Sequence, residues 1–241
     1  EGGYNSVVLI ICKFADPMST SSSIKEEISL KKFKEKVLND FRTICLSREI
    51  SILGRREVLL GRGKFGIFGD GKELPQVVMS HFFKNGDFRS GYYRDLTILL
   101  SQNLLSAREF FSAIYGHPDQ IYERMAGGRQ MVGHFLTDLI DENKEWMNQT
   151  SQKNHISDVS PTASQMSRLV GLGLASKIYR NDKVKDSEKF SKNGNEIVWG
   201  TIGNASTSQG IFFEAVNACG VLQIPAVISV WDDDYGISVH N

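Results

Sequence analysis

The sequence predicts an α/β fold, a parallel sheet flanked by helices on both faces, and three observations carry that prediction. Residues 197–231 read as strand, helix and strand, the pattern of a right-handed βαβ unit. Both strands, 197–202 and 226–231, are almost continuously apolar, as strands covered on two faces must be. Upstream, helical periodicities alternate with glycine-rich turns, and the serine-rich run 19–23 is the only low-complexity tract.

Taken in chain order, residues 1–28 are expected to be a disordered or non-native tail. The chain starts at Glu1, Met18 opens the polar run Ser19-Thr20-Ser21-Ser22-Ser23, and 1–17 reads as lying before the natural start or as unstructured. The apolar run Val7-Val8-Leu9-Ile10-Ile11 is far shorter than the roughly 20 residues a membrane helix needs. It has neither the basic leader nor the small-residue cleavage site of an export signal. The domain proper is then 29–241, expected to be incomplete at its C-terminal end because Ser238-Val239-His240-Asn241 follow a loop without a closing helix.

Within 29–51, Leu30, Phe33, Val37, Leu38, Phe41, Ile44, Cys45 and Leu46 recur three and four apart, which predicts an amphipathic helix. Glycines at 54, 61, 63, 66, 69 and 71 break the chain into turns before an apolar segment, 77–83, whose partner helix follows Asp95. A short helix over 107–115 ends at Gly116 and Pro118. Residues 119–160 show no sustained period and read as a long connection, a kind of loop that is more often functional than idle. A helix returns over 165–179, where Gly171, Gly173 and Ala175 permit close backbone approach, and 181–195 is a charged surface excursion. The last helix, 208–222, carries Phe212, Val216, Cys219 and Leu222 on its apolar side.

A chain of 241 residues with 41% hydrophobic content can bury a substantial core, as one large domain or two small ones. Lys plus Arg (28) equals Asp plus Glu (28), so no global field draws the chain to nucleic acid or an anionic membrane. Cys12, Cys45 and Cys219 form no C-x-x-C pair, which argues against a disulfide framework or a zinc site and suits a reducing, cytoplasmic setting. Cys219 reads as core packing, and Arg55-Arg56 with Arg62-Gly63-Lys64 as solvated surface.

Ligands of open parallel sheets gather at the carboxyl ends of strands, which here places Asn204 and Asp233 on one crevice. The turn 203–210 leads into a helix N-terminus, whose N–H groups and dipole favour an anion such as diphosphate. Magnesium takes about six oxygens. The Asn204 amide, the Asp233 carboxylate, the Tyr235 carbonyl, two diphosphate oxygens and a water supply them. Each residue also has a plainer reading: Asn204 as a turn or helix cap, Asp232 to Asp234 as a solvated loop tip, Arg94 as a surface partner of Asp95 or Asp87. A generic nucleotide-binding domain ranks last, since no G-x-G-x-x-G or G-x-x-x-x-G-K-[ST] follows a strand.

Gly203-Asn204-Ala205, Ser208, Gly210, Glu214-Ala215, Asn217, Pro225 and Asp232-Asp233-Asp234-Tyr235-Gly236-Ile237-Ser238 resemble the thiamine-diphosphate fingerprint. The variant is similar to the alpha subunit of the decarboxylating component of 2-oxo acid dehydrogenase complexes, of the branched-chain 2-oxoisovalerate kind. The resemblance continues through Gly91-Tyr92-Tyr93-Arg94-Asp95, Gly128-Arg129-Gln130-Met131 with His134, and Ser160-Pro161-Thr162-Ala163-Ser164-Gln165, and spans roughly residues 35–241. It implies the thiamine-diphosphate-binding fold. It also implies that Tyr93 and Arg94 hold the cofactor diphosphate, as a bidentate, permanently charged guanidinium suits.

By the same resemblance, Ser160 and Thr162 lie along the cofactor, and Gly203, Asn204, Ala205 and Ser206 form the cofactor-binding turn. Ser164 and Gln165 match a turn that binds potassium in some relatives. His134 lines the route to the cofactor and is the catalytic candidate, although a lone loop histidine is often structural. The sequence departs from the family pattern where Asn204 replaces an acid, Asp233 an asparagine, Ala205 a glycine, Asp234 a small residue and Gln209 a glutamate.

The implied activity is oxidative decarboxylation of a 2-oxo acid with acyl transfer to a lipoyl-bearing acyltransferase, within a heterotetrameric multienzyme assembly. A beta subunit, or a fused beta half, would supply the glutamate that activates the cofactor, so the chain alone is expected to be nearly inactive. The alternative is a non-catalytic assembly piece or decayed homologue, in which Asn204, Ala205 and Asp234 record lost metal binding.

Overall fold

The computed structural model describes the backbone of residues 7–11 and the whole of residues 29–130 and 133–240. Helix α1 (Leu30–Leu59) begins at Ser29, whose hydroxyl accepts from the Lys32 amide at 3.4 Å, and runs eight residues beyond the predicted end at 51. Its packing differs from the expected stripe. Leu30, Phe33, Val37, Leu38 and Phe41 are exposed, and Ser47, Ile50, Ser51, Gly54 and Glu57 are buried. The reason is that α2 (Glu73–Phe82), α3 (Leu96–Ser101) and α4 (Ala107–Ile114) cover only the second half of α1, where Ile50 joins Leu96, Leu99, Phe110 and Ile114.

Two strands fall where the sequence shows no strand pattern. These are β2 (Phe88–Tyr92) and β3 (Asn154–Val159), the latter inside the predicted connection 119–160. Their buried positions include Arg89, Ser90, Asn154, His155 and Asp158; Arg89 pairs with His155 and Asp158, Ser90 donates to the Gln165 carbonyl and Asn154 to the Gln149 carbonyl. A search for hydrophobic periodicity passes over such strands.

The chain continues through α5 (Gln165–Asn181), β4 (Val198–Gly203), a 3-10 turn (Ala205–Ser208), α6 (Gly210–Val221) and β5 (Ala226–Trp231). The 3-10 turn takes in Ser208, and α6 starts two residues later than the helix expected over 208–222. A small hairpin of β6 (Tyr235–Gly236) and β7 (Val239–His240) follows.

The main sheet has the order β1-β5-β4-β2-β3. Strands β5, β4, β2 and β3 are mutually parallel, and β1 (Val7–Ile11) lies antiparallel on the edge of β5. Part of the segment expected to be an unstructured tail thus pairs with the sheet, where the open edge of β5 offers backbone donors and acceptors. The rest of 1–28, with Cys12, lies outside the described residues.

Helices cover both faces, as the apolar strands require. Met166 and Leu169 of α5 and Phe212, Ala215 and Cys219 of α6 pack on Val198, Ile202, Ala226, Ile228 and Val230. On the other face Met79, Phe83 and Ile98 meet Trp199, Val227 and Trp231. Each fully buried Val, Leu, Ile, Phe or Met side chain among them contributes about 1.5–3 kcal/mol from its transfer out of water. Gly173 is where α5 comes close, since a Cβ there would lie 2.0 Å from Ile224 and 3.0 Å from Val198. Gly171 does not share that role, because a Cβ there would meet nothing within 4 Å.

The connectivity locates the ligand-binding end. From β2 the chain steps outward to β3, returns through α5 to the other side of β2 as β4, and then steps away as β5. The winding direction reverses between β2 and β4, so the crevice outside their carboxyl ends is the topological switch point. No described helix is long and apolar enough to cross a membrane.

Candidate functional site

A buried polar layer supports the carboxyl ends of the strands. Arg89, fully buried, donates through Nη1 to Asp95 Oδ2 at 2.5 Å, pairs through Nη2 with Asp158 Oδ1 at 2.8 Å and donates through Nε to His155 Nδ1 at 2.7 Å. Because Nδ1 accepts, His155 is neutral and its Nε2–H faces Gln102 Oε1 at 2.8 Å. Burial, with the charges of Arg89 and Lys153, pushes the imidazole well below its ordinary range. Asp95 also receives Trp231 Nε1 at 3.1 Å, the Tyr92 amide at 3.3 Å and the Thr201 hydroxyl, which ties β2, β4 and β5 together. Gly91 is required here, because a Cβ would stand 1.6 Å from Arg89 Nη1.

Burial pushes the Asp158 carboxyl up to about 7 against the pull of Arg89. Unfolded, an aspartate titrates near 4. Between those values the folded chain holds a proton that the unfolded chain has lost, so this group's contribution to stability is complete below pH ~4 and declines as pH rises to ~7. Asp158→Asn should therefore show a flatter fall in urea midpoint from pH 4.5 to 7 than the parent. Superimposable pH profiles would refute the assignment.

Above this layer, four buried polar atoms have no hydrogen-bond partner: Tyr92 Oη, Arg94 Nε, Asn204 Nδ2 and Asp233 Oδ1. They stand at the ends of β2, β4 and β5, on the switch-point crevice. A Cβ on Gly203 would lie 3.7 Å from the Tyr92 hydroxyl and 3.9 Å from Ser206 Oγ, so the phenol reaches the turn after β4. Burial, and then the charge of Asp95, push the Tyr92 phenol well above its usual range, and Asp233 adds to the effect.

The Arg94 guanidinium lies 5.7 Å from the centre of the Tyr93 ring, and its carbonyl accepts from Gln76 Nε2 at 2.9 Å. The plainer alternative, a surface pairing of Arg94 with Asp95 or Asp87, is overturned. Asp95 is taken by Arg89, and Asp87 by Trp199 Nε1 and the Ile197 and Lys84 amides. The helix-cap reading of Asn204 falls as well. Its side chain caps nothing, and its carbonyl accepts from the Thr207 amide at 3.0 Å and hydroxyl at 2.6 Å. A half-turn of the amide would present oxygen in place of nitrogen to the crevice.

Asp233 divides its two oxygens. Oδ2 accepts from Lys72 Nζ at 2.6 Å, and Oδ1 is the one without a partner. Burial opposes its ionisation, but Lys72, the Tyr235 amide and Arg94 outweigh it and hold the carboxyl below the usual carboxylate range. Asp234, at φ +62°, is exposed, with its amide on Asp232 Oδ1 at 3.0 Å. Of the acidic run, Asp233 is the residue that pairs with Lys72. Tyr235 is half-exposed and packs its ring edge-on to His240.

The remaining predicted residues divide. His134 Nε2 meets Ser160 Oγ, which brings two distant candidates together. Their loop lies against Tyr93, for a Cβ on Gly133 would be 2.8 Å from that residue's Cβ. Ala205 and Ser206 sit half-buried in the 3-10 turn. Thr162 is exposed. The Ser164 amide bonds the Pro161 carbonyl at 3.2 Å, and Gln165 spends its side chain on the Thr201 carbonyl at 2.8 Å.

Lys72 and Tyr92 are contributors that the sequence reading missed. Lys72 precedes α2 in a glycine turn and meets a carboxylate 161 positions away, which no local pattern announces. Tyr92 adjoins the predicted Tyr93 and was separable from it only by strand alternation.

Two cations, one carboxylate with a free oxygen, one amide and one phenol can together hold a phosphorylated ligand with a divalent metal. Among the described residues no three His, Cys, Asp or Glu side chains gather as a metal cluster. A metal here would depend on phosphate, amide and backbone oxygens around Asp233, the manner in which magnesium is usually held.

The family described as dehydrogenase E1 component matches residues 48–241. Over 210 residues the chain is 29% identical to the 2-oxoisovalerate dehydrogenase subunit alpha of Bacillus subtilis (strain 168), covering 85% of this chain and 53% of that protein. The chain thus spans about half the length of the curated relative it matches.

Proposed function

This chain belongs to the dehydrogenase E1 component family, and from that premise we propose that it is the alpha part of a thiamine-diphosphate-dependent 2-oxo acid dehydrogenase. It binds thiamine diphosphate with Mg2+, acts on a branched-chain 2-oxo acid and passes the acyl group to a lipoyl-bearing partner. The supporting observation is the set of four unpartnered buried polar atoms at the switch point, a cost the fold carries unless a ligand satisfies them.

In this reading Arg94 takes the diphosphate, with Tyr93 beside it. Asp233 Oδ1, the Asn204 amide and the Tyr235 carbonyl serve the metal. Gly203 to Ser206 form the wall of the turn, and Ser160 and Thr162 lie along the cofactor. Ser164 and Gln165 are the potassium turn of the family, although Gln165 already serves Thr201. His134, oriented by Ser160, faces the reacting end as proton donor or acceptor. When bound, the cofactor supplies carbanion stabilisation, and the protein supplies position and electrostatics.

A beta subunit or fused beta half completes the site, consistent with the relative being named a subunit alpha. Titration calorimetry with thiamine diphosphate and Mg2+, in the presence of a matching beta half, should show saturable binding, and decarboxylation should need both halves. Silence at millimolar cofactor would favour the second reading, a non-catalytic assembly piece. Turnover by this chain alone would overturn the shared site.

A further inference from the structure

In the Lys72–Asp233 pair a cation already occupies one oxygen of the carboxylate that the cofactor reading assigns to the metal. Lys72 is 7% exposed in its side chain, although lysine is rarely buried without a function for its charge. It is fixed at the backbone, where its amide bonds the Gly69 carbonyl at 3.1 Å as α2 begins. Its four-carbon stem and three-donor ammonium can turn to a new acceptor without moving that backbone.

We propose that Lys72 is a transferable counter-cation of this site. It neutralises Asp233, and when a divalent metal takes that carboxylate it passes to the diphosphate oxygens. The inference rests on the cofactor reading above and adds a residue with a two-state role to it. An ammonium and a divalent ion on one carboxylate repel by several kcal/mol at about 4 Å, even at an effective dielectric of about 20, so the metal drives Lys72 off. The nearest anion is then the phosphate group that the metal itself holds. One magnesium and Arg94 leave part of a diphosphate's charge unbalanced once Asp233 is counted, and Lys72 supplies the missing positive charge.

The test uses the full chain together with a matching beta half, with Mn2+ alone, monitored by electron paramagnetic resonance, and then inorganic diphosphate at saturating Mn2+, monitored by calorimetry. Lys72→Met should bind Mn2+ alone about tenfold more tightly, because a competitor is gone, and diphosphate about tenfold more weakly, because a charge-assisted bond is lost. Lys72→Arg, which keeps the charge and guards against a folding defect in the first variant, should hold diphosphate within a few-fold of the parent. Opposite shifts in Lys72→Met support the proposal, since a structural lysine would weaken both. Shifts of one sign, or none, overturn it. If the parent binds neither probe, the cofactor reading itself fails, and this one with it.

Discussion

Arg89→Met should destabilise the chain by about 3–5 kcal/mol at neutral pH, the range for breaking a buried ion pair by removing one partner. Arg89 is fully buried among Asp95, Asp158 and His155. Methionine fills much of the volume but leaves two carboxylates without their cation. Asp158 can relieve part of the loss by keeping its proton, and Asp95 has three other donors in Tyr92, Thr201 and Trp231. The deficit should therefore shrink as the pH is lowered. Urea denaturation at pH 5 and pH 7.5 checks both size and sign. A loss below about 1 kcal/mol at pH 7.5 would mean the triad is not the keystone of the strand ends. Since the layer carries Tyr92 and Asp95 next to Arg94, the same variant should also lose affinity for inorganic diphosphate at saturating Mn2+.

The second large effect concerns the metal. Asp233→Ala should weaken Mn2+ binding more than about hundredfold, because it removes a carboxylate with an unpartnered oxygen and leaves Lys72 as an unopposed buried cation. Asn204→Ala should cost less, about tenfold, since a neutral amide is the weaker ligand. Asp234→Ala should change little, because its carboxylate is exposed on a left-handed turn. Paramagnetic titration of the three variants ranks them. An order in which Asp234 matters more than Asp233 would place the metal elsewhere in the acidic run.

The legible parts of this fold were those built from apolar surface. Strands β4 and β5 were read within a residue or two, because two-sided burial demands continuous apolar residues, and α5 and α6 announced themselves by period. Cys219 proved to be core, as expected. Strands β2 and β3 escaped because Arg89, Asn154, His155 and Asp158 are buried through hydrogen bonds and charge pairing, which leave no hydrophobic rhythm. The opposite happened in α1, where the apolar residues of the predicted amphipathic stripe are exposed apart from the half-buried Ile44.

At the site, residues tied to the turns after β4 and β5 were legible because turn chemistry and strand ends are local features. Asn204 and Asp233 follow the carboxyl ends of adjacent parallel strands, as the strand-helix-strand pattern implied. Local sequence could not decide which of three consecutive aspartates turns inward, whether Arg94 spends its charge on a neighbour, or that Lys72 reaches Asp233. Each depends on a contact between segments far apart in the chain, and side-chain direction is set by that packing. The sequence by itself determined the layered α/β architecture and the βαβ unit, because burial patterns and turns are written residue by residue. Only the tertiary structure decided the charge partners that poise the crevice, because electrostatic pairing is fixed by distance in space.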